Sequence, residues 1–459
     1  MVQLHFLVVS FPAQGHINPS LQFAKRLIRI GAHVTFVTSI AAHRRMTNAP
    51  TLDCLTYAPF SDGYDDAIDH RNHQCFDELK RHGSVTLTDL VVAAANDHQT
   101  VTCIVYNHLL TWVPELARDL HVPSVLLWIQ PAAVLDIYYY YFNGYDDVID
   151  RINNDPSFCL ELPGLPSLTC VDLPSFLIPS NTRLPFKSLF RELIQNLEKE
   201  TKARVLVNSF EALEAEALRS IDKYDMVGIG PLIPSAFLDG KDPSDTSFGG
   251  DLVSSTMDYM DWLNSKPEAS VVYVSFGTTS ALSKTQEREI GRGLLECRRP
   301  FLWVVMQPTE NGKEEGEILE NIEELKKYGM VVPWCSQVEV LCNPSIGCFV
   351  THCGWNSTME GLVAGVPMVT FPQWTDQPTI SKLIKDVWKT GLRLISSEEG
   401  LVEGDELKRC VEMVMEEESG EDMRRNAKRW KELAKEAMMD GGSSDKNLQA
   451  FVDEVDSLE

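Results

Sequence analysis

Short apolar runs alternate with amphipathic stretches along this chain of 459 residues. Such alternation is typical of repeated βα units whose strands form a largely parallel sheet. The first unit is a buried strand at 5–11 followed by a helix, in which Asn18 is the N-cap, Pro19 is the first residue and Gly31 closes the end. The next parallel strand is expected at 33–38. The pattern therefore predicts an α/β fold.

A second series of the same kind begins near residue 270. A strand is expected at 270–277, and Ser283 and Gln286 have the spacing of a capping box that begins a helix. Further strands of this series are expected at 300–305, 330–334, 347–351 and 368–371. Between the two series, the stretch 233–251 is rich in Pro, Gly, Ser and Asp, a composition typical of an exposed linker.

The two series and the length of the chain together predict two domains, because a single hydrophobic core rarely grows beyond about 250–300 residues. We expect an N-terminal Rossmann-like domain at 1–240 and a second Rossmann-like domain at 251–435. Residues 241–250 are expected to form the linker between them.

Charge and composition restrict the partners and the compartment. The formal net charge of −25 disfavours nucleic acid and anionic membranes, because both attract basic surfaces. No apolar run is long enough to span a bilayer, and residues 1–11 lack the basic leader of a signal peptide. The eleven cysteines include no Cys-x-x-Cys pair, as expected of reduced thiols. We therefore expect a cytoplasmic protein without a zinc site or integral membrane association.

Two stretches have an unusual composition. Residues 309–327 are dense in Glu and Lys and are expected to form a solvated helix or loop. Residues 138–142 are five consecutive aromatics, which no single helix face can bury together. We expect some of these rings to line a pocket, with plain core packing as the alternative.

The stretch 352–358 follows a predicted strand and begins a predicted helix. Main-chain N–H groups and the positive end of the helix dipole would then face a ligand beyond the strand tip, an arrangement that suits a diphosphate. Gly354 allows the main chain to approach that ligand closely. Side chains that can add donors are those of His352, Asn356, Ser357 and Thr278, the last at the tip of an earlier strand.

The same region resembles a known family signature. Val-Pro-Trp-Cys-Ser-Gln at 332–337, His-Cys-Gly-Trp-Asn-Ser-Thr-Met-Glu at 352–360 and Pro-Gln-Trp-Thr-Asp-Gln at 372–377 resemble the C-terminal signature of plant family 1 UDP-glycosyltransferases. Phe-Pro-Ala-Gln-Gly-His-Ile-Asn-Pro-Ser at 11–20 is similar to the N-terminal loop of that family. The resemblance implies a GT-B fold, with two Rossmann-like domains facing each other across a cleft and a last helix, about 436–459, that crosses back to the first domain.

The resemblance also implies roles for the signature residues. The indole of Trp334 would stack on uracil, and the main chain of Cys335 would read the edge of that ring. Glu360, three or four residues into its helix, would accept hydrogen bonds from the ribose hydroxyls. Asp376 and Gln377 would reach the hydroxyls of the sugar, and Gln at this last position is associated with glucose in the family. The residues expected to bind the UDP-sugar are Thr278, Trp334, Cys335, Gln337, His352, Gly354, Trp355, Asn356, Ser357, Glu360, Asp376 and Gln377.

His16 follows the first strand, at the carboxyl edge where open α/β sheets bind ligands. An imidazole there can take a proton from an acceptor hydroxyl as that hydroxyl attacks the anomeric carbon. The family usually pairs this histidine with an aspartate after the strand that here covers 103–106, whereas this chain has Asn107. We expect the amide oxygen of Asn107 to orient the imidazole, although an amide cannot stabilise imidazolium by charge.

The resemblance implies inverting transfer of glucose from UDP-glucose to a small apolar acceptor by a monomeric enzyme. Residues 127–131 and 138–142 are similar to the branch with anthocyanin 5-O-glucosyltransferases and enzymes that make glucose esters. The acceptor group is thus a hydroxyl or a carboxyl, and C-glycosylation of a phenolic ring stays open. No Asp-x-Asp occurs in the chain, so no metal or other cofactor is expected. The alternatives are an epimerase or hydrolase on the same fold, or a non-catalytic UDP-sugar sensor.

Overall fold

The computed structural model describes residues 4–46, 49–66, 74–96, 99–152, 155, 158–178, 186–251, 258–278, 282–305, 322–397, 399–416 and 418–457. The chain divides into two compact units, 1–252 with 436–459 and 253–435. Most of the charged stretch 309–327 lies outside the described residues.

The first unit contains a seven-stranded parallel sheet with strand order β3-β2-β1-β4-β5-β6-β7. Its strands are β1 (His5–Val9), β2 (His33–Val37), β3 (Leu55–Tyr57), β4 (Cys103–Asn107), β5 (Ser124–Trp128), β6 (Ala203–Val207) and β7 (Tyr224–Gly228). Its helices up to β7 are α1 (Gln14–Arg29), α2 (Ile40–Arg45), α3 (Gln74–Asn96), α4 (Val113–Asp119), α5 (Ala132–Tyr140), α6 (Asp146–Ile152), α7 (Phe186–Leu197) and α8 (Glu211–Glu214).

The second unit contains a six-stranded parallel sheet with strand order β10-β9-β8-β11-β12-β13. Its strands are β8 (Val271–Ser275), β9 (Phe301–Val304), β10 (Gly329–Val332), β11 (Ile346–Thr351), β12 (Met368–Thr370) and β13 (Gly391–Arg393). The helices that follow in the chain are α9 (Tyr259–Asn264), α10 (Lys284–Cys297), α11 (Ile322–Tyr328), α12 (Gln337–Leu341), α13 (Trp355–Ala364), α14 (Gln377–Lys382), α15 (Gly404–Met415) and α16 (Glu418–Met438), and α17 (Ser443–Ser457) ends the chain. The predicted α/β class, with two Rossmann-like parallel sheets, is confirmed.

Three of the predicted strands, β1, β4 and β8, lie in the interior of their sheets. Every residue of β1, β4 and β8 is buried, as expected when helices cover both faces of a parallel sheet. In the first unit, Phe6 and Val8 pack with residues of α1 and with Phe451 of α17. Asn447 of α17 also donates a hydrogen bond to the carbonyl oxygen of Gly228 at 2.8 Å, so the last helix belongs to the first unit.

The first helix begins earlier than expected. Its N-cap is Ala13, whose carbonyl oxygen accepts hydrogen bonds from the N–H groups of His16 and Ile17 at 2.9 Å each, and Pro19 lies inside the helix. The prediction of Asn18 as N-cap was therefore wrong. A proline here removes a single N–H, and the hydroxyl of Ser20 donates a hydrogen bond to the carbonyl oxygen of His16 at 2.8 Å. As a consequence, His16 lies in the first turn of a helix rather than in a loop.

Only one of the two hydrogen bonds of the capping box predicted at the start of α10 is present. Ser283 is the N-cap, and its hydroxyl accepts a hydrogen bond from the N–H of Gln286 at 3.2 Å. The side chain of Gln286 does not close the box, because its two polar atoms bond the main chain of Val402 at 2.8 and 3.0 Å. A long-range contact has thus replaced the local one.

The stretch predicted as an exposed linker is only partly exposed. Asp245 is buried and forms an ion pair with the equally buried Lys25 of α1 at 2.6 Å. The ammonium group of Lys25 also donates a hydrogen bond to the carbonyl oxygen of Ser247 at 2.7 Å. Composition could not reveal this buried ion pair, because an aspartate counts as polar whether it lies in water or beside a buried lysine.

Within the described part of the chain, no helix combines the length and the apolar character that crossing a bilayer requires.

Candidate functional site

The turn between β11 and α13 contains only His352, Cys353 and Gly354. The N–H of Cys353 donates a hydrogen bond to the Thr351 hydroxyl at 3.0 Å, and Cys353 has a φ of 53°, in the left-handed region. Gly354 is the N-cap of α13 and has no side chain with which to cap the helix. The positive end of α13 therefore lies at the tip of β11, as the diphosphate prediction requires.

The imidazole of His352 lies close to two glycines. A Cβ atom added at Gly277 would lie 2.7 Å from its Nε2 atom, and one added at Gly354 would lie 2.6 Å from the same atom. A side chain at either position would therefore displace the imidazole. His352 is buried, and burial lowers its pKa to about 4, partly offset by a hydrogen bond with the main chain of Ser275. The ring is neutral at pH 7, so it contributes hydrogen bonding rather than charge.

Gln337 connects the residues expected around the ribose. Its Nε2 atom donates hydrogen bonds to Ser357 Oγ and Glu360 Oε2, each at 2.9 Å. Its Oε1 atom accepts a hydrogen bond from the hydroxyl of Tyr273 at 3.3 Å. The side chain of Glu360, the sixth residue of α13 rather than the third or fourth, is thus held by a neighbour whose own orientation Tyr273 determines.

Trp334 and Cys335 follow β10 and precede α12. Trp334 is half-buried, so part of its indole is accessible for stacking, whereas Cys335 is buried. Burial raises the pKa of the Cys335 thiol to about 12, and its sulfur lies 3.3 Å from the hydroxyl of Tyr273. The N–H of Ser336 donates a hydrogen bond to the hydroxyl of Tyr259 at 2.9 Å, which holds this loop in place.

Asp376 and Gln377 lie at the start of α14, beyond β12. The Oε1 atom of Gln377 accepts hydrogen bonds from the N–H groups of Gln373 and Trp374 at 2.8 and 3.1 Å. These bonds fix the orientation of the amide, so a ligand would meet its NH₂ group. Asp376 is buried, which raises its pKa to about 6, and it accepts a hydrogen bond from the Thr375 hydroxyl at 2.6 Å.

The remaining residues of the predicted donor set differ in exposure. Thr278 is exposed beyond the tip of β8, and Asn356 is half-buried in the first turn of α13. The indole of Trp355 is buried, with its ring centroid 6.0 Å from that of Trp388. Trp355 could therefore offer a ligand its main chain but not its ring, which belongs to the core.

In the first unit, His16 lies in the first turn of α1 and is half-buried. The centroid of its ring is 5.1 Å from that of Phe11 and 4.9 Å from that of His108. The imidazole therefore lies at the carboxyl edge of the first sheet, and its role as a base stays a prediction.

Asn107 does not make the expected contact with the imidazole. Its Oδ1 atom accepts a hydrogen bond from the N–H of Phe11 at 3.2 Å. Its Nδ2 atom donates a hydrogen bond to the hydroxyl oxygen of Ser20 at 3.1 Å, and among the described residues no hydrogen bond joins Asn107 to His16. Because the hydroxyl of Ser20 in turn donates a hydrogen bond to the carbonyl oxygen of His16, Asn107 positions the turn that carries His16.

Sequence reasoning missed His108, the residue next to Asn107. His108 is buried, and burial together with the nearby His16 keeps its pKa well below the usual value. Its ring lies 5.0 Å from Trp128 and 5.8 Å from Phe190, measured between ring centroids. His108 directly follows the last residue of β4, so its place at the strand end was visible in the sequence.

The aromatic run 138–142 divides between core and cleft. Tyr138, Tyr140 and Tyr141 are buried, and the other two rings are half-buried. Tyr141 and Phe142 line a cleft of about 430 Å³ together with Arg191 and Glu198, so some of the run does line a pocket.

Comparison with known proteins identifies the family. The model of UDP-glucoronosyl and UDP-glucosyl transferases matches residues 250–437. The chain is 59% identical to a phloretin 4'-O-glucosyltransferase of Malus domestica, over 100% of this chain and 99% of that protein. The chain belongs to this family. It is also 54% identical to a chloroplastic crocetin glucosyltransferase of Gardenia jasminoides, over 99% of this chain and 98% of that protein.

Solved structures support the assignment of this chain to the UDP-glycosyltransferase family. Os79 from O. sativa, solved in complex with UDP, has a TM-score of 0.86 at 36% identity, over 98% of this chain and 100% of that one. The expected GT-B fold class and the expected glycosyltransferase activity are therefore confirmed.

The second unit holds two buried groups that respond to acid in opposite directions. Unfolded His352 takes up a proton near pH 6.5 but the folded residue only near 4, so acidification from 6.5 to 4 costs about 3 kcal/mol of stability. Folded Asp376 takes up a proton near pH 6 and the unfolded residue near 3.8, so acid stabilises the fold there by about 3 kcal/mol.

We expect Asp376→Asn to make the enzyme more sensitive to acid and His352→Asn to make it less sensitive. Thermal melting measures the drop in Tm between pH 7 and pH 4.5. Compared with wild type, this drop should be several degrees larger in Asp376→Asn and several degrees smaller in His352→Asn. Asp422→Asn, which replaces an aspartate with 71% side-chain exposure, is the control and should behave as wild type. Equal acid sensitivity in all four proteins would contradict the assignment of these two groups.

Proposed function

We propose that this enzyme transfers glucose from UDP-glucose, with inversion, to a hydroxyl or carboxyl group of a small apolar acceptor. The observation that carries the proposal is the network in which Gln337 joins Glu360 and Ser357 at the helix that begins after β11. The names of relatives of this chain also support the proposal. Two are named as glucosyltransferases of phloretin and crocetin, and others are anthocyanidin 3-O-glucoside 5-O-glucosyltransferases of Verbena hybrida and Perilla frutescens.

The donor site combines three kinds of contact in this proposal. The accessible part of the Trp334 indole stacks on uracil, Glu360 accepts from the ribose hydroxyls, and the N-terminus of α13 stabilises the diphosphate. The NH₂ group of Gln377 donates to a hydroxyl of glucose, because its carbonyl oxygen is already occupied by main-chain N–H groups. Asp376 accepts from a neighbouring hydroxyl.

His16 is the proposed base. It takes the proton of the acceptor hydroxyl while the acceptor oxygen attacks the anomeric carbon and the bond to UDP breaks. The rings of Phe11 and His108 lie next to that of His16, and neither carries a negative charge at neutral pH. A weakly acidic hydroxyl must lose its proton to His16, whereas a carboxylate is already ionised.

We propose that catalysis needs no metal ion. The charge of departing UDP is met by the positive end of α13 and by side-chain donors such as Ser357. An excess of EDTA should leave the initial rate of glucose transfer unchanged after dialysis. A rate that collapses with EDTA and returns with Mg²⁺ would contradict the proposal.

We also propose a reducing compartment, the cytoplasm, and a monomeric enzyme. All eleven cysteines are free thiols, which supports the compartment. One relative carries the word chloroplastic in its name, so a plastid is the competing location.

The UDP site is tested by removing the stacking ring. We expect Trp334→Ala to weaken UDP binding by roughly 1–3 kcal/mol, the contribution of one stacked base. Isothermal titration calorimetry measures the affinity. Trp262→Ala, which removes a half-buried indole elsewhere on the second unit, is the matched control and should bind UDP as wild type does. Unchanged affinity in a folded Trp334→Ala protein would show that the indole does not contact the base.

The base is tested by comparing acceptors of different acidity. A carboxyl group with a pKa near about 4 is already an anion at neutral pH, whereas a phenol near about 10 must lose its proton. We expect His16→Ala to abolish transfer to a phenol and to leave measurable transfer to a carboxylate, as read from kcat/KM. Asn107→Ala should lower the value for the phenol more than the value for the carboxylate, because Asn107 positions the turn that carries His16. A parallel fall of both acceptors in His16→Ala would remove His16 from proton transfer.

A further inference from the structure

Residues 242–251, here called the clasp, lie along helix α1 and run antiparallel to it. At one end, the carboxylates of Asp242 and Asp245 lie 3.4 and 3.2 Å from the guanidinium group of Arg29. One turn nearer the start of α1, Lys25 forms its buried ion pair with Asp245. The partners on α1 thus come closer to its N-terminus as the clasp continues along the chain.

The remaining contacts of the clasp extend to the first turn of α1. The side-chain amide of Gln22 donates a hydrogen bond to the carbonyl oxygen of Ser247 at 3.3 Å. Gln14, the first residue of α1, donates a hydrogen bond from its Nε2 atom to Asp251 Oδ1 at 3.2 Å. Positions 14, 18, 22, 25 and 29 are three or four residues apart, so they share one face of the helix. The clasp therefore covers one face of α1 along its whole length.

Gly250 brings the main chain of the clasp directly against the start of α1. A Cβ atom added at Gly250 would lie 2.5 Å from Asn18 Oδ1 and 2.6 Å from Ile17 Cγ2. Both of these residues are buried, and they follow His16 directly in the helix. A side chain at position 250 would therefore displace the clasp or the turn that carries His16.

No side chain of the described residues caps the start of α1. Its N-cap is Ala13, and alanine has no oxygen that could accept from the free N–H groups of the first turn. Helix ends open more easily than helix centres, and His16 is only the third residue of α1. Contacts from outside the helix can therefore decide where the imidazole lies. One such anchor is the chain of hydrogen bonds from Asn107 through Ser20.

Asp251 is a second anchor of the same turn. It is half-buried, and burial raises the pKa of its carboxyl to about 6, partly offset by attraction to Lys25. The carboxyl is therefore mainly ionised at pH 7. A hydrogen bond from an amide to an ionised carboxylate is stronger than one between neutral groups, and Gln14 makes this bond two residues before His16.

We propose that Asp251 is a positioning residue for His16 and that it acts through Gln14. The proposal rests on the proposed glucose transfer and adds a residue, distant in sequence, that places the base. Asp251 holds the first turn of α1, so that the imidazole meets the proton of the acceptor hydroxyl. Loss of this hydrogen bond should therefore impair proton removal more than it impairs the use of UDP-glucose.

The kinetic test uses one phenol and one carboxylate as acceptors. In Asp251→Ala, kcat/KM for the phenol should fall about tenfold, because small displacements of a reacting group are costly. The carboxylate needs no proton removed, so its value should fall less than about twofold, with the KM for UDP-glucose constant. Asp251→Asn keeps an oxygen in place and should restore most of the phenol value.

Gln14→Ala should reproduce the effect of Asp251→Ala. The double variant should be no worse than either single variant, because both remove the same hydrogen bond. Asp242→Ala is the matched control, since it removes a partly exposed pair of the same clasp at the other end of α1. It should keep the wild-type values for both acceptors.

Three kinetic results would each overturn the proposal. The first is an equal fall for the phenol and the carboxylate in Asp251→Ala. The second is the same difference between acceptors in Asp242→Ala. The third is an additive effect of Gln14→Ala and Asp251→Ala, which would show that the two side chains act independently.

Hydrogen exchange tests the anchor without glucose transfer. The N–H groups of His16 and Ile17 donate to the carbonyl oxygen of Ala13 at 2.9 Å each, so their exchange reports opening of the first turn. Mass spectrometry should show faster exchange of these amides in Asp251→Ala and wild-type exchange in Asp242→Ala. Unchanged exchange in Asp251→Ala would overturn the proposal. If the wild type transfers glucose to neither acceptor, faster exchange in Asp251→Ala supports the anchor, and the missing transfer counts against the proposed function.

Discussion

The hydrogen bonding of parallel strands is the constraint on which both candidate sites depend. In a parallel sheet every strand ends at the same edge, so residues that follow different strands come together whatever their distance in sequence. In the first unit this edge brings His16, after β1, to His108, after β4. In the second unit it brings Gly277, after β8, to His352, after β11. Because of this close packing, a side chain at 277 or 354 would displace the imidazole.

The edge residues were predictable from sequence because strands, turns and helix starts follow from local pattern. The series of strands and the β11 to α13 turn needed only apolar runs and a Gly-containing break. The N-cap of α10 was likewise visible in Ser283. The start of α1 was not, because Asn18 and Pro19 carry a strong local signal that the packing of the preceding turn overrides.

The contacts between side chains could not be predicted from the sequence. Gln337 was assigned to the donor site by resemblance, but its bonds to Glu360 and Tyr273 depend on how β8 and α13 approach each other. Asn107 was expected to meet an imidazole, and its oxygen instead accepts from the main chain of Phe11. Pairing the polar groups of buried side chains is a three-dimensional problem, and position along the chain does not determine its solution.

The environment of His16, the proposed base, links these differences to acceptor chemistry. An aspartate against an imidazole stabilises the imidazolium that forms on proton transfer, but the amide of Asn107 lies elsewhere and His108 stays neutral. The rings of Phe11 and His108 lie next to that of His16, and neither supplies a negative charge at neutral pH. An acceptor that is already ionised needs no proton removed, whereas a weakly acidic hydroxyl does. The acidity of the acceptor would therefore decide how much proton abstraction the proposed base must supply.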